Sequence, residues 1–165
     1  MSIQVLILMG SASDAPVMQG AIDVLEELGV RVEATVASAH RSPERVQRLI
    51  REAPARGVQV FIVGAGAAAH LAGVVAAHTT LPVIGVPIDS SALRGLDALL
   101  STVQMPPGVP VATVSIGKPG ATNAGVLAAQ MLGLSDSAVA ERLTRYKQRL
   151  ADKVEEAAKN LSNEQ

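Results

Sequence analysis

Five short β-rich runs, at residues 3–8, 30–36, 58–63, 82–86 and 111–116, alternate with stretches of helical periodicity at 16–28, 43–55, 68–77, 93–103 and 122–132. Alternation of this kind leaves few ways to fold. Strands separated by helices run parallel, each crossover is right-handed, and helices cover both faces of the sheet. The expectation is an α/β protein of three layers, α/β/α, with a flavodoxin-like doubly wound parallel five-stranded sheet, its strand order taken by analogy. At 165 residues the chain is read as one domain, an α/β core over 1–135 and an extra C-terminal amphipathic helix over 136–165.

That last helix carries an apolar stripe of Val139, Leu143, Tyr146, Leu150, Val154, Ala157 and Leu161 among alternating charges, with Glu141 and Arg145, and Glu155 and Lys159, at i,i+4. The segments 68–77 and 121–134 are small or apolar around nearly the whole circumference, a pattern of burial on more than one side. Together they predict a homo-oligomer, with alanine as a simple helix former on a solvated face as the alternative.

Three polar loops follow the first three strands: Gly10-Ser11-Ala12-Ser13-Asp14, Ser38-Ala39-His40-Arg41-Ser42-Pro43-Glu44, and Gly64-Ala65-Gly66-Ala67-Ala68-Ala69-His70. In an open parallel sheet the carboxyl ends of the strands share one rim, so these loops converge on a single crevice. In the first, backbone N–H groups at a helix start and two hydroxyls make an anion seat, and Asp14 can accept from ribose hydroxyls. Ser13 or Asp14 also serves as the ordinary cap of the helix opened by Pro16, as Ser42 does for the one opened by Pro43, with Glu44 favourable to its dipole. His40, at the mouth of the sheet, is read as a proton-transfer group and Arg41 as a phosphate clamp whose commonest other use is a surface ion pair. His70 either lines the pocket or starts an apolar helix; His78 is read as structural. The histidines have no metal-ligand spacing, so no metal site is expected.

Charge narrows the ligand. With 14 basic and 15 acidic residues there is no electrostatic case for nucleic acid or an anionic membrane. A lack of cysteine excludes disulfides and a thiolate nucleophile. Neither a signal peptide nor a transmembrane stretch is recognisable from Met1 onward, and a cytoplasmic protein is expected. Residues Gly64 to Ala69 also match G-x-G-x-x-A, with Asp89 some distance beyond, which keeps an NAD-type dinucleotide-binding reading open. That match falls at the third strand and leaves the first two loops without a role.

Met9-Gly-Ser-Ala-Ser-Asp14, Ser38-Ala-His-Arg-Ser-Pro43, Gly64-Ala-Gly-Ala-Ala-Ala-His-Leu71 and Ser101-Thr-Val-Gln-Met-Pro106, with Ile116-Gly117 and Asn123-Ala124, resemble the PurE family of purine biosynthesis. These are the 5-(carboxyamino)imidazole ribonucleotide mutases, and the His70 run resembles their bacterial-type mutase branch. The resemblance implies an isomerase that moves a carboxylate from the exocyclic amine to ring C4 of an aminoimidazole ribonucleotide, through carbon dioxide, with no cofactor, in an octamer. It assigns the 5′-phosphate to Ser13, Ser38 and Arg41, the ribose to Asp14, and the migrating carboxylate to Ser11 with backbone groups of Ala65 and Gly66. His40 becomes the general acid and base, with His70 supporting it. Ala67 stands where the family usually has Gly and Ala72 where it usually has Pro; a positive φ at 67 would cost Ala on the order of 1 kcal/mol. The second branch, which carboxylates the aminoimidazole ribonucleotide directly with carbon dioxide, is the nearest alternative.

Overall fold

Alternate side chains of the first strand, β1 (Val5–Met9), enter two different cores. Val5, Ile7 and Met9 face one layer of helices and Leu6 and Leu8 the other, so the whole strand is buried, as befits a parallel sheet covered on both sides. The structure, a computed structural model, describes residues 2–163; Met1, Glu164 and Gln165, the ends of the predicted ranges, lie outside the described residues.

After β1 come a 3-10 turn (Ala12–Asp14), α1 (Ala15–Glu27), β2 (Val32–Val36), α2 (Pro43–Glu52), a second such turn (Pro54–Arg56), β3 (Val60–Gly66) and α3 (Leu71–Ala77). Then follow β4 (Val83–Ile88), α4 (Leu96–Val103), β5 (Ala112–Thr113), α5 (Gly117–Gly133) and α6 (Ser137–Asn163). The strands pair in the order β2-β1-β3-β4-β5, all parallel, which is the flavodoxin-like order. Winding reverses between β1 and β3, where Met9 lies opposite Gly64. No helix among the described residues is long and apolar enough to cross a bilayer.

One core joins the sheet to α1 and α5 through Met18, Val24, Leu25, Ala124, Ala128 and Leu132; the other joins it to α2, α3 and α4 through Val46, Ile50, Leu71, Val75 and Ala98. The small residues of α5 are explained inside the chain. A Cβ on Gly125 would come within 2.4 Å of Val24 Cγ1 and 2.9 Å of the Ala21 carbonyl oxygen, so α1 and α5 touch backbone to backbone. The predicted burial of 121–134 on more than one side is met by the sheet, α1 and α6, while Asn123, Gln130 and Leu134 stay exposed.

Several boundaries depart from expectation. The third helix begins at Leu71 instead of 68, because β3 continues through Gly66 and Ala67 then takes φ 52°. The fourth begins at Leu96 instead of 93, because Arg94 at φ 50° and Gly95 at φ 83° are left-handed. The fifth strand shrinks to two residues at the sheet edge, and α5 starts at Gly117, earlier than 122, since Pro119 falls in its first turn where no N–H is needed. A Cβ at Gly120 would sit 1.6 Å from the Ser115 carbonyl oxygen, so only glycine allows this tight entry.

α6 is capped by the Asp136 carboxylate, which accepts from Ala138 N at 3.0 Å and Val139 N at 3.2 Å. Arg149 pairs with Glu27 and Arg142 donates to the Leu28 carbonyl, tying the helix to the end of α1. Its stripe is buried at Val139 and half-buried at Leu143 and Tyr146, where the Arg149 guanidinium lies 5.6 Å from the ring centre. Beyond this, Leu150, Val154 and Leu161 are exposed, as are Leu96, Leu100 and Val103 on α4. Glu141 and Arg145 approach to 3.9 Å; among the described residues the expected Glu155–Lys159 pair does not form.

Candidate active site

At the carboxyl ends of β1 and β3 the three loops enclose a crevice of about 290 Å³. Its walls include Gly10, Ser11, Ser13 and Asp14 from the first loop, Ser38, Ala39, His40 and Arg41 from the second, and Ala65, Gly66 and Ala68 from the third. Leu71 and Ser90 complete it. Winding reversal parts the helices above this point of the sheet, and the crevice is the result.

In the first loop the cap is Ser11, one turn before the residues expected to cap α1. Its hydroxyl accepts from Ser13 N at 3.3 Å and from the Ser13 hydroxyl at 2.9 Å, while its own N–H donates to Asp14 Oδ2 at 3.0 Å. Asp14 thus turns its carboxylate back toward the turn and makes no cap to α1. The residue is 5 % exposed. Burial pushes its pKa above the ordinary 3.8, and the hydrogen bond from Ser11 N–H partly opposes that.

In the second loop Ser42 stands at the start of α2 but does not cap it with its side chain. Its hydroxyl accepts from Ser38 N and donates to Ser38 O, both at 3.2 Å, closing the loop on itself. The Ser38 hydroxyl accepts from Arg41 N at 3.2 Å. Arg41 Nη2 reaches across to the Gly10 carbonyl at 3.2 Å, which holds the first two loops together and keeps the guanidinium in the crevice wall. Among the described residues Arg41 makes no ion pair, the common alternative for a surface arginine.

The third loop contains two kinds of backbone. Gly64, Ala65 and Gly66 are still strand, paired to Val86, Pro87 and Ile88 of β4. Dinucleotide-binding glycines instead form a tight turn into a helix whose N-terminus meets the pyrophosphate, so the G-x-G-x-x-A match has the wrong geometry and that reading falls. The strand glycines serve close contact: a Cβ at Gly64 would meet Met18 Sδ at 2.4 Å, and one at Gly66 would meet Ser90 Oγ at 1.8 Å. His70, at the foot of α3, lies outside the crevice walls. Its Nδ1 is 2.8 Å from His40 Nε2, with the rings edge-on at 81°. One nitrogen carries the hydrogen and the other accepts it, so the two imidazoles hold one proton between them in this contact.

Ser90 is the wall residue that the three-loop reading misses. It follows the carboxyl end of β4, and the rule that gathers the first three loops applies to the fourth strand equally. The site as a whole is small, open and hydroxyl-rich, and its walls carry an arginine, a buried carboxylate and the exposed His40, which His70 contacts from outside. Such an arrangement can bind a phosphorylated sugar and exchange protons with a group held in the crevice.

The family profile of AIR carboxylase matches residues 4–153. Over 155 residues the chain is 55% identical to an N5-carboxyaminoimidazole ribonucleotide mutase of Pyrococcus horikoshii, covering 94% of this chain and 86% of the relative. It is 53% identical over 155 residues to the protein of that name from Bacillus subtilis, covering 94% of this chain and 96% of the relative. Among solved structures, PurE of Treponema denticola superposes with a TM-score of 0.86 at 30% identity, over 96% of this chain and 98% of that one.

Proposed function

The chain belongs to the AIR carboxylase family, and from that premise we propose how its crevice works as an N5-carboxyaminoimidazole ribonucleotide mutase, an isomerase of purine biosynthesis. The carrying observation is the meeting, at one switch point, of an anion-binding wall and the His40–His70 pair.

In this reading Ser13, Ser38 and Arg41 hold the 5′-phosphate with hydroxyl and guanidinium donors, and Asp14 accepts from the ribose hydroxyls. The Ser11 hydroxyl and the backbone around Ala65 and Gly66 receive the migrating carboxylate. His40 delivers a proton to the exocyclic nitrogen as its bond to the carboxylate breaks, releasing carbon dioxide beside the ring. Ring C4 attacks that carbon, and His40 takes the C4 proton as aromaticity returns. One proton leaves the imidazole and one comes back, so the catalyst is regenerated and the net change is an isomerisation. Proximity does much of the work: carbon dioxide recaptured before it diffuses away is a unimolecular partner.

An octamer in the cytoplasm is proposed with the function. The exposed Leu96, Leu100 and Val103 on α4 and Leu150, Val154 and Leu161 on α6 support assembly, and the count of eight rests on the resemblance.

The test offers the purified protein the carbamate substrate and, separately, the aminoimidazole ribonucleotide with bicarbonate, following the C4-carboxylated product. Faster turnover of the carbamate at low bicarbonate is expected. Product formation only from the second pair would make it a direct carboxylase, and saturable NADH binding with no response to the ribonucleotide would overturn both.

A further inference from the structure

The geometry points to Ser101, on α4 and outside the crevice, as the positioning residue for the imidazole pair, an inference that takes the mutase reading as its chemical setting. The segment 67–70 belongs to no regular element and carries a left-handed alanine, Ala67 at φ 52°. Such a backbone persists only where its surroundings over-determine it. Ala69, in the middle, is 1% exposed, so its N–H must find a partner inside the protein. It donates to the Ser101 hydroxyl at 3.0 Å, across 32 residues of sequence. The Ser101 hydroxyl also reaches the carbonyls of Asp97 at 2.8 Å, Ala98 at 3.2 Å and Ala67 at 3.5 Å; donation to the nearest, Asp97, leaves an oxygen lone pair for the loop.

The next residue after Ala69 is His70, whose ring meets His40 at 2.8 Å. Beside the local bond from His70 N–H to the Ala68 carbonyl at 2.8 Å, this side chain on α4 ties down the step of backbone from which one imidazole projects onto the other. The phosphate and ribose groups proposed above lie on the first two loops, which Ser101 does not touch. Loss of its hydroxyl should therefore act on proton transfer and leave ribonucleotide binding nearly intact.

Ser101→Ala and Ser101→Thr test this in the full-length protein. Misplacement of about 1 Å at a reacting group can cost on the order of 100-fold, so Ser101→Ala should lose about 10- to 100-fold in kcat with KM within about 2-fold. Ser101→Thr, which keeps the oxygen, should recover most of the loss. A second reading needs no turnover: in imidazole 15N spectra, His70→Asn marks the signals of a His40 without its partner, and Ser101→Ala should move His40 toward them. Unchanged kcat, or His40 signals unchanged from wild type, overturns the assignment. If Ser101→Ala does not fold, Ser101→Cys keeps the volume with a poor acceptor and is read by the same two measurements. A wild-type protein without mutase activity defeats the proposed reaction, while the spectra still decide the fate of Ser101.

Discussion

Asp14 is held in a position that its charge resists. Burial raises its carboxyl above the ordinary 3.8 while the Ser11 N–H pulls the other way, and burial is the larger effect. The native chain therefore holds that proton more tightly than the unfolded one. As pH rises from below 3.8 through the raised value, this group subtracts stability, and above both values the penalty is constant. Asp14→Asn keeps an acceptor for Ser11 but has nothing to ionise, so the stability of wild type minus that of the variant should fall across this window. Urea midpoints at fixed protein concentration measure it; a difference that stays flat, or grows with pH, contradicts the burial effect. His40→Asn addresses the chemistry at the same scale. Asparagine hydrogen-bonds but does not shuttle protons, so turnover should drop at least about 100-fold with ligand-induced stabilisation retained. Steady-state rates and melting curves with the ribonucleotide separate these effects, and near-wild-type turnover would remove His40 from its role.

At the scale of elements, the sequence carried the alternation of strands and helices because burial on both faces of a parallel sheet demands β-rich runs, and those runs stand out. Boundaries were harder wherever one residue's backbone decided them. Arg94 does not advertise a positive φ, and at Ala67 only the family's usual Gly pointed to one, yet each delays a helix by three residues relative to 68 and 93. The gathering of Ser11, Ser38, His40, Arg41, Ala65 and Gly66 was legible from loop position alone, since the sheet rim enforces it. Ser90 was open to the same rule, since it follows the carboxyl end of β4, whereas Ser101 was not, because it acts through a contact between segments distant in sequence. The α1–α5 contact yields its own prediction. Gly125→Ala forces a methyl into the space of Val24 and the Ala21 carbonyl, which should cost about 1–3 kcal/mol in denaturant unfolding. A neutral result would mean that the two helices separate freely.

At the scale of the whole molecule, apolar side chains remain in water. Leu150 is 46% exposed and Val154 67%. If these surfaces meet other copies, folding and assembly are linked and stability rises with protein concentration. Light scattering should report a particle several times heavier than 16.9 kDa, and Leu150→Asp should shrink or loosen it by a few kcal/mol through an unpaired buried carboxylate. A 16.9 kDa monomer with full activity would remove assembly from the account.

Tyr146 gives that question an optical handle. The chain has one tyrosine and no tryptophan, so emission excited at the red edge of the tyrosine band, where Phe61 does not absorb, arises from a single ring, wedged against α5 beneath the Arg149 guanidinium. The phenol is on the C-terminal helix and absent from the crevice walls, which makes it blind to direct contact with the ribonucleotide. Its anisotropy and quenching by iodide report on α6 and whatever packs over it. Dilution can thus be followed by the protein's own light, with no label attached and no interference from substrate contact with the emitter.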